Sequence, residues 1–155
     1  MKQHQKPNII LILVDDLGYG DLSCFDPQSK IHTEHLDALA AQSMACTDMH
    51  AAAAVCSPSR YALMTGRYNW RSNTKFGVLP GTSPPLIEEG RETIASLLKS
   101  QGYRTACVGK WHLGMTWTTR AGVEQTYDLF TRISPDWDLG IDFSQPAYGG
   151  PLDRG

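Results

Sequence analysis

The sequence predicts an α/β fold, a mostly parallel sheet with helices on both faces, left incomplete within these 155 residues. Two runs predict the sheet. Asn8–Val14 (NIILILV) is continuously apolar after its first residue and rich in β-branched side chains, the pattern of a strand buried on both faces. Tyr103–Val108 is a second strand candidate, closed by Gly109. Segments with helical spacing lie between them, and strands alternating with helices imply layers around a parallel sheet.

Asp15, Asp16 and Gly18 end the first run abruptly. From His35 to Ser43, Leu36, Leu39 and Ala40 recur at helical spacing, continued by Met44, with Thr33 as a candidate N-cap and Glu34 suited to the first turn. A short strand is expected near Met44–Met49. A second helix opens at Ser57–Pro58: Ser57 can cap, Pro58 fits the first helical position, and Gly66 can close the end. Residues 69–90, rich in Asn, Gly, Pro and Ser, read as a long loop. Glu92–Ser100 is amphipathic through Ile94, Leu97 and Leu98 and stops at Gly102. Periodicity is lost after Thr116, and Ser134–Gly155 reads as loop or unfinished structure.

The length suits one modest domain. A composition of 41% hydrophobic and 19% charged residues is that of a soluble globular protein. The net charge of -2 argues against nucleic acid as a partner. Ile9–Val14 is too short to span a bilayer. It also fails as a signal peptide: Lys2 and Lys6 precede it, but Asp15 and Asp16 follow directly, with no small-residue cleavage site. On that reading the default compartment is the cytoplasm. The four cysteines form no C-x-x-C pair and match no zinc pattern. Cys24, Cys46 and Cys107 read as buried free thiols.

Three clusters carry candidate chemistry, and ligands of open α/β sheets bind beyond the carboxyl ends of the strands. Asp15 and Asp16 follow the first strand. As hard oxygen donors they suit calcium or magnesium; the alternative is two solvated acids in a loop. They can share an ion only where the strand has broken, since neighbours on a regular strand face opposite ways. Cys56 precedes a helix start, where free N–H groups attract anions and lower a thiol's pKa; the alternative is a small buried cysteine. Arg60, one turn on, either shares that side or is a solvated surface arginine. Lys110 and His112 share a face if the backbone stays extended, and offer donors to an anion; the alternative is a polar strand end beside a half-buried Trp111. Together these are equipment for a doubly anionic tetrahedral group.

The run Cys56-Ser57-Pro58-Ser59-Arg60-Tyr61-Ala62-Leu63-Met64-Thr65-Gly66-Arg67 resembles the first signature of the sulfatases, Cys-x-Pro-Ser-Arg-x-x-Leu-x-Thr-Gly, at every fixed position. Gly102-Tyr103-Arg104-Thr105-Ala106-Cys107-Val108-Gly109-Lys110-Trp111-His112-Leu113-Gly114 resembles the second. Pro7-Asn8-Ile9-Ile10 through Asp15-Asp16-Leu17-Gly18-Tyr19-Gly20-Asp21 is similar to that family's first strand and metal turn. The resemblance covers Pro7–Gly114 and implies an alkaline-phosphatase-like fold and a sulfuric ester hydrolase. It implies that a maturation enzyme, formylglycine-generating or anaerobic, oxidises Cys56 to formylglycine. One hydroxyl of its hydrate would attack sulfur and the second would expel sulfate. It further implies calcium held by Asp15, Asp16 and an oxygen of the modified Cys56. Arg60 would hold the modified side chain, Lys110 would pair with a sulfate oxygen, and His112 would bond and help deprotonate the second hydroxyl.

The same resemblance implies partners that these residues do not supply: a downstream Asp-Asn pair on the metal, and a further histidine and lysine on the sulfate. Asn69 and Asn73 lie in the loop after the signature helix, the wrong place for that pair. Residues 1–155 are therefore expected to be the N-terminal portion of a sulfatase catalytic domain, with motifs over 7–114 and a loop-rich, truncated 115–155, and to be inactive alone. The expected substrate is a sulfate ester, on a small molecule or a sulfated carbohydrate. Competing readings are a phosphonate or phosphate ester hydrolase of the same superfamily, and an inactive calcium-binding fragment. Family members are often periplasmic or secreted.

Overall fold

The computed structural model describes residues 6–120, 122–125 and 140–155. They fall into two compact units, 1–49 and 50–155.

In the first unit, helix α1 spans Glu34–Ala40. Thr33 stands at its cap position, but its hydroxyl accepts no N–H of the helix. It accepts from the Ser23 N–H (3.0 Å) and donates to Asp37 Oδ1 (2.8 Å). Asp37 also accepts from Ser23 Oγ (2.6 Å) and the Cys24 N–H (3.0 Å). These bonds, that from Ser23 foremost and that from Thr33 next, hold its carboxyl below the usual carboxylate range. The helix ends earlier than the periodicity predicts. Gln42 and Ser43 form tight bonds to the carbonyls of Leu39 and Ala40, and the Ser43 hydroxyl folds back on Leu39 O (2.8 Å). Met44 is exposed, and no strand forms over Met44–Met49.

The expected strand at Asn8–Val14 makes no ladder, and its side chains are exposed, Ile10 to 84%. Tyr103–Val108 likewise pairs with no strand among the described residues. The reason is physical: a doubly buried parallel strand is stable only between two neighbours under a helical cover, and the described residues supply neither. Cys24, Cys46 and Cys107 are exposed rather than buried.

In the second unit, helix α2 (Cys56–Thr65) neighbours helix α3 (Ile94–Ser100). The buried face of α2 is Ser57, Pro58 and Tyr61. Gly66, left-handed at φ 66°, closes it with a bond to Ala62 O, as expected. Ser57 is not the cap; Val55 holds that position. α3 starts from Thr93 with a reciprocal box, Ser96 N–H to Thr93 Oγ1 (3.0 Å) and Thr93 N–H to Ser96 Oγ (2.8 Å). It stops at Gly102 (φ 85°), where Tyr103 N–H reaches Leu98 O and Gly102 N–H reaches Lys99 O.

The core of this unit is Tyr61, Leu79, Leu86, Ile87 and Leu113, with Met64 and Trp111 packed against it. Three of these five residues lie in the segment that reads as loop. The segment is irregular but buried, and it pairs with the end of the second signature: Leu86 N–H to Leu113 O (2.8 Å) and Met115 N–H to Ser83 O (3.0 Å). The tail is also ordered where described. Antiparallel bridges join Thr116 to Tyr148 and Thr119 to Ile141, Thr93 Oγ1 bonds Arg154 O (2.6 Å), and Thr105 Oγ1 bonds Gly155 O. The part of the tail expectation over 134–139 lies outside the described residues.

Tyr61 is fully buried, and its hydroxyl bonds both oxygens of Glu88 (3.2 and 3.0 Å). Arg67 (3.1 Å) and Arg91 (3.3 Å) pair with the same carboxylate. Partial burial pushes the Glu88 carboxyl up, but hydrogen bonds from its own backbone, Tyr61 and Arg91 outweigh this and hold it below the usual range. Burial, then the bond to Glu88, pushes the Tyr61 phenol up. A carboxylate depressed in the folded state stabilises it fully above the unfolded pKa and loses that contribution as pH falls through the folded one. The unit should therefore lose stability on acidification below the ordinary glutamate range, and Glu88→Gln should flatten that limb in urea melts followed against pH. Tyr61→Phe should cost about 1–2 kcal/mol at neutral pH, read from the same melts.

Candidate active site

The site is built on the start of α2. Val55 at the cap has extended backbone and no side-chain acceptor, so no cap side chain occupies the first N–H groups of a ten-residue helix. Together with the positive end of the helix dipole, they favour an anion. Cys56 is the first helical residue and is half-buried. Ser59 turns its hydroxyl back on the carbonyls of Ala53 (2.6 Å) and Val55 (2.8 Å), which fixes the approach to the helix.

The second signature meets this helix start from 54 residues away. Lys110 Nζ lies 3.3 Å from Cys56 Sγ. Arg60 Nη1 donates to the Lys110 carbonyl at 2.6 Å. Arg60 therefore grips the lysine's backbone, a contact beyond the expected hold on the modified side chain at 56. The backbone is not extended through the motif: Gly109 (φ 98°) and His112 (φ 53°) are both left-handed. The two-residue alternation thus does not govern how Lys110 and His112 are placed. A left-handed non-glycine costs about 1–2 kcal/mol, so its surroundings must hold His112 there.

Part of that hold is visible. His112 Nε2 lies 2.9 Å from Leu79 O, and the Leu79 N–H donates to Ser57 Oγ at 3.1 Å. A carbonyl only accepts, so Nε2 carries a proton. In the neutral ring, Nδ1 is then the bare nitrogen, and it is buried without a hydrogen-bond partner among the described residues. Sequence reasoning missed Ser57, Leu79 and the Tyr61–Glu88 brace. Ser57 and Tyr61 are four apart on one helix face, a signal that was present; Leu79 stands in a segment with no period to read.

Asp15 and Asp16 belong to the first unit and are exposed, at a bend where Asp16 is left-handed (φ 60°). The chain has therefore broken there, the condition under which adjacent carboxylates need not face opposite ways. Their donor chemistry, oxygen alone, fits calcium. No group of three His, Cys, Asp or Glu side chains suited to a metal forms among the described residues.

A helix start that favours anions and a lysine amine at the thiol make a cationic setting around Cys56. Residues 7–146 match the family model described as Sulfatase, and the chain belongs to that family. It is 49% identical over 140 residues to an N-acetylgalactosamine-6-O-sulfatase of Bacteroides thetaiotaomicron, covering 90% of this chain and 26% of that protein. It is 46% identical over 149 residues to arylsulfatase G of Canis lupus familiaris, covering 95% of this chain and 27% of that one. A solved structure from work on the metabolism of multiple glycosaminoglycans by Bacteroides thetaiotaomicron superposes with a TM-score of 0.68 and 48% identity, over 72% of this chain and 23% of that one. The chain thus spans about a quarter of the length of these relatives. No helix among the described residues is long and apolar enough to cross a membrane. The family match gives no support to the cytoplasm as the default compartment.

Proposed function

We propose that residues 1–155 are the N-terminal portion of a sulfatase catalytic domain, with its motifs over 7–114, that hydrolyses sulfate monoesters of small molecules or carbohydrates. In that domain Asn8–Val14 and Tyr103–Val108 are strands of a mostly parallel, alkaline-phosphatase-like sheet. The observation that carries the reading is Lys110 Nζ at 3.3 Å from Cys56 Sγ, at the opening of α2. It sets a cation and helix N–H groups around the thiol that an aldehyde hydrate would replace, where the anionic sulfate group of the ester needs both.

Formylglycine at position 56, made by a formylglycine-generating or anaerobic maturation enzyme, supplies a hydrated aldehyde with one hydroxyl for attack and one for release. Calcium, when held by Asp15, Asp16 and an oxygen at position 56, supplies positive charge against the sulfate. Lys110 binds a sulfate oxygen through Nζ. Arg60 keeps that lysine in place by holding its carbonyl. His112, with Nε2 committed to Leu79 O, takes a proton at Nδ1.

The test uses a polypeptide extended to the length of the relatives and co-expressed with a maturation enzyme. Mass spectrometry of the peptide around Cys56 should show conversion of thiol to aldehyde, and an aryl sulfate should be turned over in preference to an aryl phosphonate. A retained thiol in a protein without sulfatase turnover would overturn the assignment.

A further inference from the structure

The second helical residue of α2 is a serine with no exposed surface, and its hydroxyl is not used as a helix cap. It accepts the N–H of Leu79 across 22 residues. Leu79 is itself 2% exposed and locked into the core beside Tyr61 and Leu113. The other polar group of that residue, its carbonyl, faces His112 Nε2 at 2.9 Å. One amino acid of backbone thus links the residue next to Cys56 with the histidine of the second signature. At its far end is a left-handed His112 whose Nδ1 is buried and unpartnered.

We propose that Ser57 is a positioning residue: by fixing Leu79 it sets the tautomer and orientation of His112, so that Nδ1 is held bare and ready to accept a proton. The argument is one of polarity. A serine hydroxyl that receives an N–H fixes where that residue lies, and so where its carbonyl points. The carbonyl demands a donor, so Nε2 must carry the proton and Nδ1 must not. Without the serine, the Leu79 N–H is left unsatisfied in a buried setting, and the segment must shift to recover a partner. The carbonyl would move with it, and the preference between tautomers would weaken. A second shell of this kind commonly decides which imidazole nitrogen is available. The tautomer is a property of the folded chain; only the use made of Nδ1 rests on the sulfate-ester reading.

The experiment is long-range 15N–1H correlation of the imidazole of His112 in the 155-residue chain, at a pH where the ring is neutral. The wild type should show a single tautomer with the proton on Nε2. Ser57→Ala should lose that pattern, giving averaged nitrogen shifts, while Ser57→Thr, which keeps the hydroxyl, should restore it. Far-ultraviolet circular dichroism establishes that each variant is folded; if Ser57→Ala is not, the comparison of wild type with Ser57→Thr decides alone. A wild-type proton on Nδ1, an unchanged pattern in folded Ser57→Ala, or its loss in folded Ser57→Thr would overturn the proposal. In the matured, extended protein, Ser57→Ala should lower kcat about tenfold to a hundredfold at little cost in KM. Absent sulfatase activity together with the Nε2 tautomer would count against the proposed function and leave the positioning role standing.

Discussion

Cys56→Ala, in a matured polypeptide of the relatives' length, is expected to lower kcat on an aryl sulfate by roughly four orders of magnitude or more, as loss of a covalent nucleophile does elsewhere. No neighbour can take its place. Ser57 is buried and holds the Leu79 N–H, and Ser59 spends its hydroxyl on the carbonyls of Ala53 and Val55. Arg60 and Lys110 are held to each other through a backbone carbonyl, so the cationic surroundings should persist and substrate should still bind. Steady-state kinetics should therefore show a collapsed kcat with a KM changed only a few-fold. Alanine at Cys24, Cys46 or Cys107, all exposed, should leave kcat unaltered. Substantial turnover by the Cys56 variant would place the nucleophile elsewhere.

The largest effect on stability is expected from Gly114→Ala. Gly114 has φ 75°, and a Cβ there would stand 2.0 Å from Pro84 O and 2.7 Å from Pro84 C. Both are backbone atoms, so no side chain can swing aside. They belong to the segment bonded to the second signature through Leu86 N–H to Leu113 O and Met115 N–H to Ser83 O, and the Trp111 indole N–H bonds Gly114 O at 3.0 Å. Left-handed backbone and overpacking together should cost on the order of 3 kcal/mol or more, seen as a lower urea midpoint for the 50–155 unit. Gly66→Ala separates the two causes. Its φ is 66°, but a Cβ there meets nothing within 4 Å, so about 1 kcal/mol of conformational cost should be all that is lost. Equal losses at the two glycines would mean that the contact with Pro84 does not constrain the fold.

Helices α2 and α3 were legible at their C-terminal ends, which are written locally: Gly66 after Thr65 and Gly102 after Gln101 each act within a few residues. Their starts were not: Val55 rather than Ser57 caps α2, and the Thr93–Ser96 box of α3 was missed. The core was not legible either. Leu79, Leu86 and Ile87 sit in a stretch with neither helical nor strand period, and only contacts made across the chain bury them. The two expected strands form no ladder among the described residues for a related reason. NIILILV states what a doubly covered strand is made of, but pairing depends on neighbours that its own sequence does not encode.

For the candidate site, residue types were readable and their relations were not. That Cys56 meets Lys110 required two segments 54 residues apart to converge. That Arg60 holds the lysine's carbonyl goes with the left-handed turns at Gly109 and His112 that flank it. The twist at Gly109 is marked by its glycine, whereas the one at His112 leaves little trace, since any non-glycine residue adopts positive φ uncommonly.

Leu79 influences its surroundings electrically through its peptide groups, while its side chain merely fills space. A survey that trims side chains one at a time would register residue 79 as a lost hydrocarbon contact and nothing more. Swapping its amide for an ester, which deletes the donor and spares the isobutyl group, would expose the other contribution. The position can accordingly drift among apolar residues of similar bulk without disturbing the dipole on which an imidazole 33 residues along the chain depends.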